Sequence, residues 1–157
     1  MSTKKMIGFT KVDLPHGWMG NMSAFPIKYG NKIWKTSEAL FQALRFEDEE
    51  IIELIRNEKS PMSAKMKAKK HKAKMILEPR SEQDLENMRL VIDLKLAQHP
   101  ELVRKLLITG DAYIYENIEK RNSRSSRFWG AIFKDEEMIG ENWLGKILME
   151  KREKLKI

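Results

Sequence analysis

A chain of 157 residues, 41% hydrophobic and 34% charged, can bury a sizeable core and reads as one globular domain over residues 1–157. It has no cysteine, and its three histidines, His16, His71 and His99, are scattered without metal-ligand spacing, so disulfides, a metal and a cofactor are not expected. The net charge of +7 favours anionic partners; with no apolar run near the ~20 residues of a membrane span and no signal-like stretch in Met1-Ser2-Thr3-Lys4-Lys5, the expectation is a cytoplasmic protein without membrane contact.

Residues 6–12 alternate loosely and predict a first strand. Residues 14–26 hold two prolines and several small or polar breakers, and so form a loop; its Trp18 can plug the core or offer a stacking surface. Gly30-Asn31 between two short apolar-bearing runs, 27–29 and 32–34, is a two-residue hairpin signal. The hairpin delivers the chain into Trp34-Lys35-Thr36-Ser37-Glu38-Ala39-Leu40-Phe41-Gln42-Ala43-Leu44-Arg45-Phe46. Thr36 or Ser37 can cap a helix here, which puts Glu38 in its first turn. Glu38, Gln42 and Arg45 follow at i, i+4 and i+7, on one face, with Leu40, Phe41 and Leu44 elsewhere. An apolar helix thus carries a carboxylate, an amide and a guanidinium in one row. That row reads either as a half-exposed stripe or as chemistry.

Residues 48–57 continue as helix, and Ser60 with Pro61 starts another. This one carries Lys65, Lys67, Lys69, Lys70, Lys72 and Lys74, either a solvated face or a surface for phosphates and nucleic acid. Residues 81–97 form a long helix capped by Ser81, with Asp84 placed for something close to a capping box. A further helix over 100–108 ends at Gly110, and 112–118 reads as a short strand. Residues 119–127 form a basic, serine-rich loop with Arg121, Arg124 and Arg127, running into Phe128-Trp129; 134–139 form a turn. Asn142 is the N-cap of a last helix with Leu144, Ile147, Leu148 and Leu155 as its apolar stripe and Gly145 allowing close packing. The sum is a mainly α chain with a few short β-strands, class α+β.

Several stretches then fall into one ordered set: Gly20-Asn21-Met22-Ser23, Trp34-Lys35-Thr36-Ser37-Glu38 with Phe41-Gln42-Ala43, Lys59-Ser60-Pro61-Met62, Met88-Arg89, Lys95-Leu96-Ala97-Gln98-His99-Pro100-Glu101-Leu102, Thr109-Gly110-Asp111, Phe128-Trp129-Gly130, and Gly140-Glu141-Asn142-Trp143-Leu144-Gly145-Lys146-Ile147-Leu148-Met149. In order and spacing they resemble the NADAR, or YbiA-like, family over nearly the whole chain. The resemblance implies a compact single-domain YbiA-like fold and a metal-independent N-glycosidase. Such an enzyme cleaves the bond between a ribose phosphate and an amine or base. Two substrate classes go with the family: phosphorylated early intermediates of riboflavin biosynthesis, and ADP-ribose attached to guanine in DNA. The family's catalytic glutamate matches Glu38. Three positions depart from the family pattern: Ser126 stands for an aspartate, residues 78–81 lack an Asp-Trp pair, and Lys69 stands near a usual arginine.

N-glycoside hydrolysis builds oxocarbenium character at the ribose C1′, which calls for a carboxylate near that carbon. The first-turn position favours the ionised form of Glu38 by roughly 0.3–1 kcal/mol, which suits a base or a stabilising anion, and suits a general acid only if burial raises the pKa. Gln42 can orient water or a ribose hydroxyl, and Asn21 can bond the base or ribose. Trp129 is a candidate for ring stacking, Lys65, Lys69 and Arg45 for phosphate contacts, and Asn142 for substrate contact or for a helix cap alone. Asp111 can be a second carboxylate or a turn residue. The expected partners are an ADP-ribosyl or ribose-phosphate substrate and DNA along the basic surface, with the oligomeric state left open. The leading reading is removal of ADP-ribose from a nucleobase; a riboflavin-intermediate glycosidase and a catalytically impaired ADP-ribose or nucleic-acid binder are the alternatives.

Overall fold

The computed structural model describes residues 5–156, so residues 1–4, on which the leader expectation partly rests, lie outside it. In chain order the elements are β1 (Met6–Phe9), β2 (Ile27–Tyr29), β3 (Lys32–Trp34), α1 (Ser37–Ala43), α2 (Glu49–Arg56), α3 (Pro61–Lys70), α4 (Glu82–Gln98), α5 (Pro100–Ile108), β4 (Tyr113–Glu116), α6 (Arg124–Trp129), β5 (Ile132–Lys134), β6 (Glu137–Ile139) and α7 (Trp143–Leu155). The fold is mainly helical with short strands, as the residue pattern predicts. Contacts divide the chain into two units, Asn21–His99 and Met1–Gly20 with Pro100–Ile157.

In the unit Asn21–His99, Gly30 and Asn31 take φ values of +61° and +64°, the left-handed pair that a two-residue hairpin needs. The hairpin pairs Ile27 with Trp34, both buried. Thr36 then caps α1: its hydroxyl accepts a hydrogen bond from the Ala39 amide at 3.1 Å. Every residue of α1 is buried, the polar ones included, and α2, α3 and α4 all contact it. Helix α2 is capped by Asp48 and buries Ile51 and Ile55, each burial contributing about 1.5–3 kcal/mol. Helix α3 starts at a reciprocal Ser60–Ser63 capping box with Pro61 behind it. Only Ala64 and Ala68 of α3 are buried, small residues a turn apart that let it lie close to its neighbour. The lysine run is divided: Lys72 and Lys74 sit in a 3-10 turn beyond α3. Ser81 caps α4 by accepting from the Asp84 amide at 3.3 Å, but the Asp84 side chain does not return to Ser81 as a capping box would require. It is drawn to Arg45 instead.

In the other unit, β1 and β4 pair in parallel with Ile7 opposite Ile114. Helix α7 contacts β4, and Gly145 passes so near the Ile114 carbonyl that a Cβ would collide with it. Leu102 and Leu106 of α5 and Ile147 of α7 are fully buried. The fold corrects three expectations in this unit. The basic loop is in part helical: Ser123 caps α6, which carries Phe128 and Trp129. Residues 134–139 belong to a hairpin, β5 and β6, turned by Asp135 and Glu136 at φ +52° and +63°, residues with no glycine to announce the turn. Leu155 is exposed rather than part of the α7 stripe, because it falls in the last turn.

Candidate functional site

Glu38 lies in the first turn of α1 and is only 7% exposed. Its Oε2 accepts a 2.6 Å hydrogen bond from Gln42 Nε2. The carbonyl Oε1 of Gln42 accepts from Arg45 Nη1 at 3.2 Å. The row of carboxylate, amide and guanidinium is therefore a hydrogen-bonded chain, buried throughout. It continues into α4. Arg45 donates from Nε to Asp84 Oδ1 at 3.0 Å and from Nη2 to Asp84 Oδ2 at 2.7 Å, a bidentate pair. Asp84 has no exposed surface, and its Oδ2 also accepts the Arg80 backbone N–H at 2.8 Å. This is where the carboxylate expected in a capping box goes. Arg45, expected at a phosphate, instead spends its guanidinium on Asp84 and Gln42 and stacks over the Phe41 ring at 4.8 Å.

Burial pushes the Glu38 carboxyl above its ordinary range; the Gln42 hydrogen bond and the charges of Lys65 and Arg45 pull it back, and Asp84 adds a smaller upward push. The balance is upward. The helix-dipole expectation of an ionised carboxylate is thus outweighed by desolvation, and the condition under which Glu38 suits proton donation is met. Glu38 Oε1 takes no hydrogen bond from any described residue.

The loop before β2 anchors the start of α1. The Asn21 carbonyl accepts from the Glu38 amide at 3.1 Å, and Asn21 Oδ1 accepts from the Ser37 hydroxyl at 2.9 Å. Asn21 Nδ2 donates to the Met88 sulfur at 3.1 Å. Its side chain is thereby fixed inside the protein, next to the backbone of Glu38. Lys65 and Lys69 are on the exposed side of α3; Lys65 acts on Glu38 through its charge, and Lys69 makes no ion pair with any described residue.

Trp129 and Asn142 belong to the other unit. Trp129 is 8% exposed and packs edge-on against Phe128 at 4.9 Å. Asn142 stands at the N-cap position of α7 but at φ +55° and with no side-chain cap bond. Its Oδ1 accepts from the Glu116 amide at 3.2 Å, and its Nδ2 donates to the Ile114 carbonyl at 2.9 Å. The expected cap is therefore a clasp on β4. Ser126, in place of the family aspartate, donates its amide to Ser123 Oγ at 3.0 Å within the α6 cap. Asp111 is an exposed turn residue following Gly110.

Two groups escaped the sequence reading. One is Asp84, whose position three residues after a serine pointed to a cap. The other is Lys95, which is buried, donates to Ser23 Oγ at 3.1 Å and lies over the Phe25 ring. Burial brings its pKa down to about 7. The signal for both was present: a charged residue among positions whose helical neighbours are buried.

Known proteins share this arrangement of elements. The solution structure of the E. coli protein YbiA superposes with a TM-score of 0.81 at 33% sequence identity, covering 99% of this chain and 88% of that one. Proteins named N-glycosidase YbiA from Shigella boydii serotype 4 and Escherichia coli K12 are each 35% identical over 152 residues, 97% of this chain and 89% of theirs. A protein of Vibrio vulnificus named for riboflavin biosynthesis is 29% identical over 154 residues, 95% of this chain but 38% of its own length. The NADAR domain pattern matches residues 8–156, nearly all of the sequence in which the ordered motifs were found. With fold, motifs and relatives in agreement, this chain belongs to the NADAR domain family.

Proposed function

We propose that the protein is an N-glycosidase whose catalytic residue is Glu38. The observation that carries this reading is a buried carboxyl with one oxygen held by Gln42 and the other without a hydrogen bond from the described residues, in a chain whose relatives are named N-glycosidases. A carboxyl raised by burial keeps a protonated fraction at higher pH than an exposed one. It gives its proton to the leaving nitrogen as the C1′–N bond breaks and C1′ gains oxocarbenium character. Water then adds its oxygen to C1′, and the proton it sheds returns to Glu38. The products are the hydroxylated sugar and the free N–H compound, and the carboxyl ends as it began. One titratable group serves both half-steps, which suits a chain whose other nearby carboxylate, Asp84, is wholly committed to Arg45 and the Arg80 amide.

The preferred substrate is a ribosylated nucleotide, with ADP-ribose on a guanine base of DNA as the leading member. The exposed cations of α3, with Lys65 acting on Glu38 and Lys69 unpaired among the described residues, favour a substrate with several phosphates. Gln42 stands next to the carboxyl and supports it, and Asn21 is proposed to act through its hold on the start of α1. The Vibrio relative's name favours a second reading, a phosphorylated early intermediate of riboflavin biosynthesis. Mass spectrometry of both substrate classes incubated with wild type and Glu38→Gln separates them. Free ADP-ribose from modified DNA, lost in the variant, supports the first; release of ribose phosphate from the riboflavin intermediates alone supports the second. Calorimetric binding of ADP-ribose with no turnover of either class, or equal turnover in the variant, overturns the assignment.

A further inference from the structure

We propose that Arg45 and Asp84 are positioning residues for Glu38: together they lock the Gln42 amide so that its NH2 group, and not its carbonyl, faces the carboxyl. The inference deepens the proposed function and rests on that reading of Glu38. A glutamine amide offers a donor end and an acceptor end of nearly equal shape, so its orientation is decided by its neighbours. Arg45 can only donate. Its Nη1 lies 3.2 Å from Gln42 Oε1, which fixes the carbonyl on the Arg45 side and leaves Nε2 pointing at Glu38 Oε2, 2.6 Å away. Arg45 is in turn held by two hydrogen bonds to a carboxylate on another helix, and that carboxylate is itself held by the Arg80 amide. Arg80 has φ +66°, an uncommon backbone for a residue with a side chain, so its amide is presented to Asp84 by a turn that costs some conformational energy.

The consequence is electrostatic. A donor aimed at a carboxyl favours its ionised form, and an acceptor aimed at it favours the protonated form. With Gln42 locked as donor, Glu38 releases its proton more readily than burial alone would allow. With Gln42 free to turn over, its carbonyl can accept a hydrogen bond from the protonated acid, and Glu38 stays protonated to higher pH. The charged groups acting on Glu38 are Lys65 from α3, Arg45 just beyond α1, and Asp84 from α4. Removing Arg45 and Asp84 together takes away a downward and a smaller upward influence, so a small rise from charge alone adds to the release of Gln42, and the comparison with Gln42→Met tells the two apart.

The test replaces the buried pair by apolar residues, Arg45→Met with Asp84→Leu, an exchange that a well-packed interior commonly tolerates. Glu38 is followed by carbon-detected NMR of its carboxyl through a pH titration, a readout independent of turnover. The double variant and Gln42→Met alone are each expected to titrate at higher pH than wild type, and adding Gln42→Met to the double variant is expected to produce no further rise. The pH profile of kcat moves in the same direction, with KM unchanged. A titration in the double variant that matches wild type overturns the proposal. So does a triple variant that rises well beyond Gln42→Met alone, since the pair then acts without the amide. If the double variant does not fold, Arg45→Lys gives the same reading: it keeps the charge, loses the fork that reaches both Asp84 and Gln42, and is expected to raise the titration too. Loss of the catalytic role of Glu38 would show instead as full activity in Glu38→Gln with these titration shifts intact.

Discussion

Helices α1 and α3 each carry a row of polar side chains, and the two rows have opposite fates. On α1, Glu38, Gln42 and Arg45 are buried and bonded one to the next, closing on Asp84. On α3, Lys65, Lys69 and Lys70 are exposed, and among the described residues Lys67 forms an ion pair, with Glu58 at 3.5 Å. The neighbours make the difference. Helix α1 is enclosed by α2, α3 and α4, so its polar groups must find partners or carry the cost of burial. Helix α3 fully buries two alanines and turns Lys65, Lys69 and Lys70 to water. A dense charge run makes a field, whereas a few charges among apolar neighbours make a site.

The comparison breaks most visibly at Glu38. Glu38→Gln is expected to lower kcat by about two to four orders of magnitude, the usual worth of a positioned acid–base group. Its effect on stability has the opposite sign. Because burial raises the carboxyl's pKa in the fold, the protonated form is the stabilised one: that contribution is complete below the unfolded value of 4.5 and is lost as pH rises through the folded value. The variant should therefore gain melting temperature over wild type as pH rises from 4 to 7. A variant that melts lower at pH 7 than at pH 4, relative to wild type, would contradict the burial argument.

Next in size is Asp84→Ala. It leaves the Arg45 guanidinium buried without its carboxylate, which costs about 3–5 kcal/mol. The paired exchange Arg45→Met with Asp84→Leu should cost far less, and urea unfolding of the two variants gives the contrast directly. Equal destabilisation would mean that the pair is held by shape and not by charge.

Lys95 sharpens the comparison from the other side, as a lysine buried like the α1 row. Its pKa falls from 10.5 to about 7, so the unfolded chain binds the proton more tightly between those values. Wild type should then gain stability relative to Lys95→Met as pH rises from about 7 to about 10.5. Thermal melts across that range check the sign, and a constant difference between the two proteins would place the amine in water.

The legible parts of the sequence were those governed by local chemistry. The hairpin at Gly30-Asn31, the caps at Thr36, Ser60 and Ser81, and the stop at Gly110 each follow from one or two residues with a strong backbone preference. The row on α1 was legible from helical spacing. What it bonds to was not, because Asp84 is 39 positions from Arg45 and helix periodicity carries no information about a partner on another helix. Local rules also misled. Asp84 fits a capping box and Asn142 fits an N-cap, yet both side chains found stronger partners, a guanidinium in one case and the backbone of β4 in the other. The turn within 134–139 is where the sequence places it, but the strands β5 and β6 that flank it are not legible, because Asp135-Glu136 lacks the glycine that normally announces a two-residue hairpin.

The smallest expected effect concerns stability on α3 and the turn that follows it, and it isolates what the charge run is for. Lys69, Lys70 and Lys74 are exposed and make no ion pair with any described residue. Changing all three to glutamine should move unfolding free energy by no more than about 0.5 kcal/mol per site. Binding to DNA should respond more. Each phosphate that a lysine ceases to neutralise makes the dependence of log affinity on log salt shallower by about 0.9. Net charge alone would weaken DNA binding equally wherever three lysines were removed, so the control is Lys105, Lys120 and Lys134, all exposed and all in the other unit. A larger fall in slope for the α3 set than for the control set places the anion-binding surface on α3. Equal falls leave only the general field of a chain with net charge +7, and the multiply phosphorylated substrate then loses its main support.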